Sequence, residues 1–332
     1  MNFPFNVYTA AFLSALIASG SSFALWRRWC IRTGHVDDPG HRKIHSAPVP
    51  LAGGLTVMTG FFLPVILGAA GILLWRSGET EGLVRELFQY GLTRRSLQLL
   101  AILAGAFGMV FLGWWDDKHE LKPLPKFTCQ VIIALLVAWS GIRITICIPS
   151  EIVTYTLTVL WILALTNALN FLDNMNGLCT GLGFIAAWSC AWAAAIQGQY
   201  LVATLAFLIC GALLGFLPFN FPTAKAFLGD AGSHLVGFLV AVLAILPNFY
   251  SEQTPHRLAV LSPLIILAIP LYDLVSVVVI RWRKGQPFYV GDTNHISHRL
   301  TRRGLTRTHA VLVLLLVHAL LGTVAVLILP RL

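Results

Sequence analysis

The chain reads as long apolar blocks cut by short polar segments. An α-helix needs about 20 mostly apolar residues to cross a bilayer. Ten stretches of that kind lie near 8 to 26, 54 to 75, 96 to 114, 127 to 142, 153 to 170, 178 to 196, 200 to 219, 234 to 250, 258 to 280 and 310 to 329. Backbone amides in hydrocarbon must be satisfied within their own segment, so such blocks predict helices. The expected fold is all-α: a polytopic integral membrane protein with about ten transmembrane helices, ten or eleven, forming a single domain over residues 1–332. No low-complexity tract and no repeat longer than the alternation of helix and loop interrupts this pattern. The first block has no basic segment ahead of it, and its Arg cluster follows it. It is therefore expected to remain as the first helix and not to be removed as a signal peptide.

Composition agrees and excludes a soluble globular domain: 57% of the 332 residues are hydrophobic and 11% charged, and the mean hydropathy is +0.77. The six cysteines fall mostly inside apolar stretches without a CxxC pair, which reads as small buried hydrophobes. The net charge of +9 sorts by topology. With ten spans the loops alternate between two sides, and 16 of the 23 Lys and Arg fall in the set 27–53, 115–126, 171–177, 220–233 and 281–309. The positive-inside rule makes that set cytoplasmic and puts both termini outside. The basic excess is accounted for by the membrane, so no nucleic-acid partner is expected, and a homodimer is compatible with the composition.

A second asymmetry points to chemistry. Every Asp except Asp273, which lies within the ninth block, falls in the cytoplasmic loops or at their helix ends, together with His35, His41, His45, His119, His295 and His298. Asp116 and Asp117 close the third block, followed by Lys118, Lys122 and Lys126. Adjacent carboxylates repel unless a cation or proton neutralises them. The fifth block ends in TNALNFLDNMNGL, where Asn167, Asn170 and Asp173 sit at i, i+3 and i+6 and project toward one side of a helix. Oxygen ligands of this type suit Mg2+, which keeps water and substrate phosphate in its shell. Asp230 lies between Gly229 and Gly232 ahead of Ser233, where glycines permit close backbone approach and a helix N-terminus offers N–H groups to a phosphate. The loop GDTNHISHRLTRRG brings His295, His298 and Arg299 as phosphate donors, and the first loop brings Arg42, Lys43 and His45. Hard oxygen ligands, cationic donors and glycine-lined backbone at one membrane surface describe phosphoryl transfer with a membrane-bound partner.

Five ordered blocks, DDPGHRKIHSAPVPLAGG, GWWDDKHELKPLPKFTCQ, NALNFLDNMNGL, FNFPTAKAFLGDAGS and IPLYDLVSVVVIRWRKGQPFYVGDTNHISHRL, carry a resemblance to the polyprenyl-phosphate N-acetylhexosamine-1-phosphate transferase family. It runs from about residue 37 to 310. The resemblance implies a cytoplasmic active site, Mg2+ dependence with Mn2+ as a substitute, and UMP release as sugar-1-phosphate passes from a UDP-N-acetylhexosamine to polyprenyl phosphate. On that footing Asp116, Asp117 and Asp173 are the expected catalytic carboxylates and Asp230 and Asn170 the expected metal ligands. Arg42, Lys43, His45, Lys126, Asn167, Asn176, His295, His298 and Arg299 are the expected substrate-binding set. The chain departs from the family's bacterial pattern at Asn176, where a second acid is common, and at Ser297, where HxHH is common. These departures argue against the phospho-MurNAc-pentapeptide translocase of peptidoglycan synthesis, and the RKxH block favours the branch that primes O-antigen, teichoic acid or capsule synthesis. Ten spans with polar helix ends also suit a secondary transporter, the reading from a different class.

Overall fold

The computed structural model describes residues 2–39, 47–74, 82–145, 150–247, 257–287 and 293–329. The helices are α1 (Phe5–Thr33), α2 (Gly53–Leu74), α3 (Gly82–His119), α4 (Pro123–Trp139), α5 (Glu151–Phe171), α6 (Leu178–Ile196), α7 (Tyr200–Asn220), α8 (Gly229–Leu243), α9 (Ser262–Ile266), α10 (Ala268–Arg283), α11 (Ile296–Arg302) and α12 (Arg307–Leu327). Each apolar block contains a helix, and the protein is an all-α, multi-pass membrane protein. Among the described residues seven helices are long and apolar enough to cross: α1, α2, the Arg95–His119 part of α3, α5, α6, α7 and α12. The α9 and α10 pair, bent by 64°, is an eighth if taken as one span. The expected ten or eleven full crossings are thus reduced to seven or eight by length and composition. The shortfall has a simple cause: α4 has 17 residues and α8 only 15, a rise of roughly 26 and 22 Å at 1.5 Å per residue.

α8 is the centre of the bundle. It packs against α3 and α5 and also against α2 and α6, and every one of its residues except Asp230 is buried. A helix that is apolar all round has to be enclosed. Cys30, Cys179, Cys190 and Cys210 are buried as expected of small hydrophobes, whereas Cys129 is exposed on α4.

The polar segments meet at one end of this bundle. A two-residue antiparallel ladder, β1 (Val36–Asp37) with β2 (Val49–Pro50), closes the neck of the first loop. The first N–H groups of α2 are spent on the loop before α8: Gly53 N donates to Phe227 O (3.0 Å) and Gly54 N to Leu228 O (2.9 Å). Gly34, just after α1, and Arg307, the first residue of α12, line the same cavity. The start of α1 and the end of α12 therefore lie at the opposite end of the bundle.

The positive-inside assignment puts the cavity end in the cytoplasm, and an impermeant thiol reagent tests it. Ser297 is fully buried and would be shielded on either side, so the informative positions are the exposed Lys284 and Glu151. In a cysteine-free background, Glu151→Cys is expected to label in whole cells and Lys284→Cys only after permeabilisation; the reverse pattern would invert the topology.

Candidate active site

Three helices are tied together at the cavity by charge. Lys126 Nζ, in the first turn of α4, lies 2.6 Å from Asp116 Oδ2 at the end of α3 and 2.9 Å from Asp230 Oδ2 at the start of α8. The other oxygen of Asp116 accepts Leu121 N–H at 2.7 Å. Asp230 Oδ1 accepts Asn170 Nδ2 at 2.9 Å, and the same amide reaches Ser233 Oγ at 2.9 Å. A carboxylate only accepts, so Asn170 must present its NH2 group here.

Asp117 does something different from its neighbour. Its Oδ1 accepts Asp230 N–H at 2.8 Å and its Oδ2 accepts Ala231 N–H at 3.1 Å. These are orphan donors of the first turn of α8, and a carboxylate there also meets the positive end of the helix dipole. The sequence expectation was that this N-terminus would be open to a phosphate. In the structure Asp117 occupies two of its N–H groups, and the backbone of Gly229 is hydrogen-bonded to Asp173. The approach of α3 to α8 requires Gly113, where a Cβ would collide with the Asp230 carbonyl. It also requires Gly229, whose φ of +72° is left-handed and where a Cβ would sit 2.9 Å from Asp117 Oδ2.

The cavity above this network has a volume of ≈1110 Å³. Of the expected site residues, Asp117, Asp173, Asn176 and Asp230 line it, while Asp116, Lys126 and Asn170 stand behind the wall as partners of Asp230. Burial raises the Asp173 carboxyl well above its ordinary range, with the Asp230 and Asp117 charges adding to the effect. His35, also in the wall, is held below its usual value by burial and by the charge of Lys118.

Other expected residues point elsewhere. Asn167 Nδ2 donates to Gln130 Oε1 and to Leu163 O, both at 2.8 Å, one helical turn below Asn170. Arg299 Nη2 donates to Ser276 Oγ at 2.9 Å, and its guanidinium lies 5.5 Å from the Tyr272 ring centroid, so it packs along α10. His298 is pushed down first by burial and then by His295, Arg302 and Arg307. His295 is buried against Asp273. Neither histidine lines the cavity. Arg42, Lys43 and His45 lie outside the described residues.

The sequence reading missed Asn220. Its buried Oδ1 accepts Gly177 N–H (2.9 Å) and Thr180 Oγ1–H (3.1 Å), while its Nδ2 donates to Ala226 O (3.2 Å). It fastens the Asp173 loop to the segment leading into Asp230. An Asn closing an apolar helix is an ordinary cap in sequence, and only its long-range partners reveal the role. Arg307 was passed over too, as one of many loop cations, although it lines the cavity.

Comparison with known proteins identifies the family. The model of glycosyl transferase family 4 matches residues 99–248, which include Asp116, Asp117, Lys126, Asn170, Asp173 and Asp230. A "Probable undecaprenyl-phosphate N-acetylglucosaminyl 1-phosphate transferase" of Bacillus subtilis is 32% identical over 315 residues, covering 92% of this chain and 81% of the relative. The chain belongs to glycosyl transferase family 4. Further relatives include the decaprenyl-phosphate N-acetylglucosaminephosphotransferase of Mycobacterium tuberculosis, 31% identical with 86% of this chain and 73% of the relative covered. Another is the undecaprenyl-phosphate alpha-N-acetylglucosaminyl 1-phosphate transferase of Salmonella typhi, 30% identical with 91% and 78% covered.

For this family 4 transferase the first turn of α8 gives a direct test. Gly229→Ala places an L-residue in the left-handed region, at a cost of about 1–2 kcal/mol, and pushes on Asp117. The expected outcome is a lower thermal midpoint in detergent and a turnover reduced by about 10- to 100-fold, the scale of a small misplacement of reacting groups. An unchanged midpoint and rate would show that the Asp117–Gly229 contact is not needed.

Proposed function

We propose that the protein transfers N-acetylhexosamine-1-phosphate from a UDP-sugar to a polyprenyl phosphate, releasing UMP, at the cytoplasmic face of a bacterial inner membrane. The lipid-linked product would be the first intermediate of a cell-envelope polysaccharide. The observation that carries this reading is the convergence of Asp117, Asp173 and Asp230, from three separate polar segments, on one large cavity at the end of an apolar bundle. The relatives' names make a UDP-N-acetylglucosamine donor and an undecaprenyl or decaprenyl phosphate acceptor the first substrates to test.

In the reaction an acceptor phosphate oxygen forms a bond to the sugar-linked phosphorus while the bridging bond to UMP breaks in line. Lys126 keeps Asp116 and Asp230 together against their mutual repulsion. Asn170 orients the Asp230 carboxylate by donating to one of its oxygens. Asp117 fixes the first turn of α8, and a carboxylate engaged with two backbone N–H groups is a poor covalent nucleophile, which favours the one-step route over an aspartyl-phosphate. Asp173, raised by burial, can take up or release a proton at its carboxyl oxygen next to the substrate. Lys118 and Arg307 in the cavity wall offer cationic donors to the phosphates.

Mg2+ is the cofactor this reading calls for. No group of three or more His, Cys, Asp or Glu is placed to hold a metal ion among the described residues. That suits Mg2+, which usually takes one or two carboxylates and fills its shell with water and substrate phosphate. Crowded negative charge at Asp173 and Asp230 marks them as the residues that would hold it. When bound, the ion supplies positive charge against the pyrophosphate.

Purified protein supplied with radiolabelled UDP-N-acetylglucosamine, undecaprenyl phosphate and Mg2+ is expected to yield labelled lipid and UMP, and to lose both products in chelator. Asp230→Asn keeps the side chain's size and removes its charge, and it should lower the rate by at least about a hundredfold. A protein that is folded in detergent but makes no lipid product with any UDP-N-acetylhexosamine would refute the assignment.

A further inference from the structure

A second cavity, of ≈570 Å³, lies at the end of the bundle away from the active site, walled by α1, α2, α3 and α7. Its origin shows in the glycines of α2. At Gly60 a Cβ would stand 2.6 Å from the Ser19 Cβ of α1 and 3.0 Å from the Ala212 Cβ of α7, so the three helices touch there. At Gly68, two turns further on, a Cβ would meet nothing within 4 Å. Pro64 falls between the two, inside the helix and in the cavity wall. A proline there withholds an N–H and clashes with the carbonyl four residues earlier, which kinks a helix. The wall is almost wholly apolar. Two of its hydroxyls are spent within their own helices, Ser14 Oγ on Ala11 O (3.1 Å) and Thr204 Oγ1 on Tyr200 O (2.7 Å). The exceptions stand together on α3. Arg95 is exposed and makes no hydrogen bond or ion pair among the described residues. Gln98, one turn deeper, keeps a buried Oε1 without a partner.

We propose that this cavity is a binding site for an anionic phospholipid, with one acyl chain in the groove and the phosphate at Arg95. Space left between packed helices forfeits dispersion contacts, and in a bilayer the filler at hand is a hydrocarbon chain. The volume falls in the range of small-molecule sites, about 300–1,000 Å³. An acyl chain alone leaves a guanidinium and an amide unsatisfied. A phosphate accepts two parallel N–H bonds from a guanidinium. A side-chain amide presents its NH2 in place of its oxygen after a half-turn, so Gln98 can donate to the ester carbonyls that lie just below a lipid phosphate. Charge selects the headgroup. A net-negative lipid gains the full attraction of Arg95, whereas a zwitterionic lipid carries its own ammonium beside the phosphate and gains only part of it. The bound lipid joins four helices where the chain itself does not fill the space, and the site is independent of the transfer activity.

The test titrates delipidated protein in detergent with phosphatidylglycerol or phosphatidylcholine. Lipid held per chain is counted by native mass spectrometry, and the thermal midpoint is followed alongside. The wild type is expected to hold one phosphatidylglycerol that Gly68→Phe and Thr204→Phe, which fill the groove from α2 and from α7, do not hold. The basic loops at the other end are the same in every variant, so this difference isolates the groove. The midpoint should rise with phosphatidylglycerol in the wild type and less in the filled variants. Arg95→Gln should bind that phosphatidylglycerol about 5- to 10-fold more weakly, the scale of one cation facing a lipid phosphate. Its phosphatidylcholine binding should stay as in the wild type. Equal phosphatidylglycerol counts in the wild type and both filled variants would overturn the site, and so would undiminished binding in Arg95→Gln. A wild type that holds the two lipids equally well in the groove would refute the headgroup contact. If filling the groove changes the oligomeric state and leaves the lipid count alone, the face belongs to a second copy of the chain and the lipid site is wrong.

Discussion

A single ammonium group, Lys126 Nζ, lies between two carboxylates that belong to different helices, and the geometry of the cavity depends on it. Taking one ammonium and two carboxylates partly out of water is costly, and their attraction need not return more than an apolar cluster of equal volume would. What the arrangement fixes is register. Asp116 ends α3, Lys126 opens α4 and Asp230 opens α8, so the ion pairs align three helix ends at one level. Removing the cation would leave two uncompensated acids facing each other, a loss smaller than the roughly 3–5 kcal/mol of a fully buried pair because the Asp230 side chain is 34% exposed. Asp117 completes the joint from the next position in α3 by holding the backbone of α8.

The same joint explains why the central helix is short. α8 begins at the floor of the cavity, where Gly229 and Asp230 line it, so polar groups reach into the bundle. Irregular backbone at that depth is tolerated only where protein or a water-filled cavity satisfies it. Here Asp117 and Asp173 take N–H groups of α8 and Asn220 ties the neighbouring loops. The break between α9 and α10 belongs to the same design. It redirects α10 so that Tyr272, Asp273 and Ser276 form one platform for α11, the segment that walls the Asp173 loop.

The sequence carried the helices, the sidedness of the acids and the segments that meet at the cavity, because hydropathy and loop charge are local properties. It did not carry the partners. Asn167, Asn170 and Asp173 do share a helix side, yet Gln130 of α4 claims Asn167 while Asp230 claims Asn170, and spacing alone cannot tell these fates apart. Lys126 looked like one of three loop cations until its two carboxylates came from α3 and α8. Arg299 looked like a phosphate donor and instead lies on Tyr272, since a guanidinium packs on an aromatic face as readily as it binds an anion. Fewer than ten helices reach full crossing length among the described residues, because α4 and α8 are short although their composition is apolar.

The charge of the cavity argues for a cation supplied from outside the chain. Among the described residues its wall holds Asp37, Asp38, Asp117, Glu120, Asp173 and Asp230 against Lys118 and Arg307. Lys126, the nearest further cation, is already engaged by two acids. The protein's net charge of +9 lies mainly in the surrounding loops, where it can draw anions toward the membrane surface without neutralising the floor. A phosphate brought to Asp173 and Asp230 meets like charge at close range, and repulsion there is weakly screened because the site is partly shut off from water. Protonation of Asp173 relieves one unit, in keeping with its raised carboxyl. A pyrophosphate carries more than that, so the site is complete for phosphoryl transfer only when positive charge arrives together with the substrate. This is the physical content of the Mg2+ requirement proposed for it.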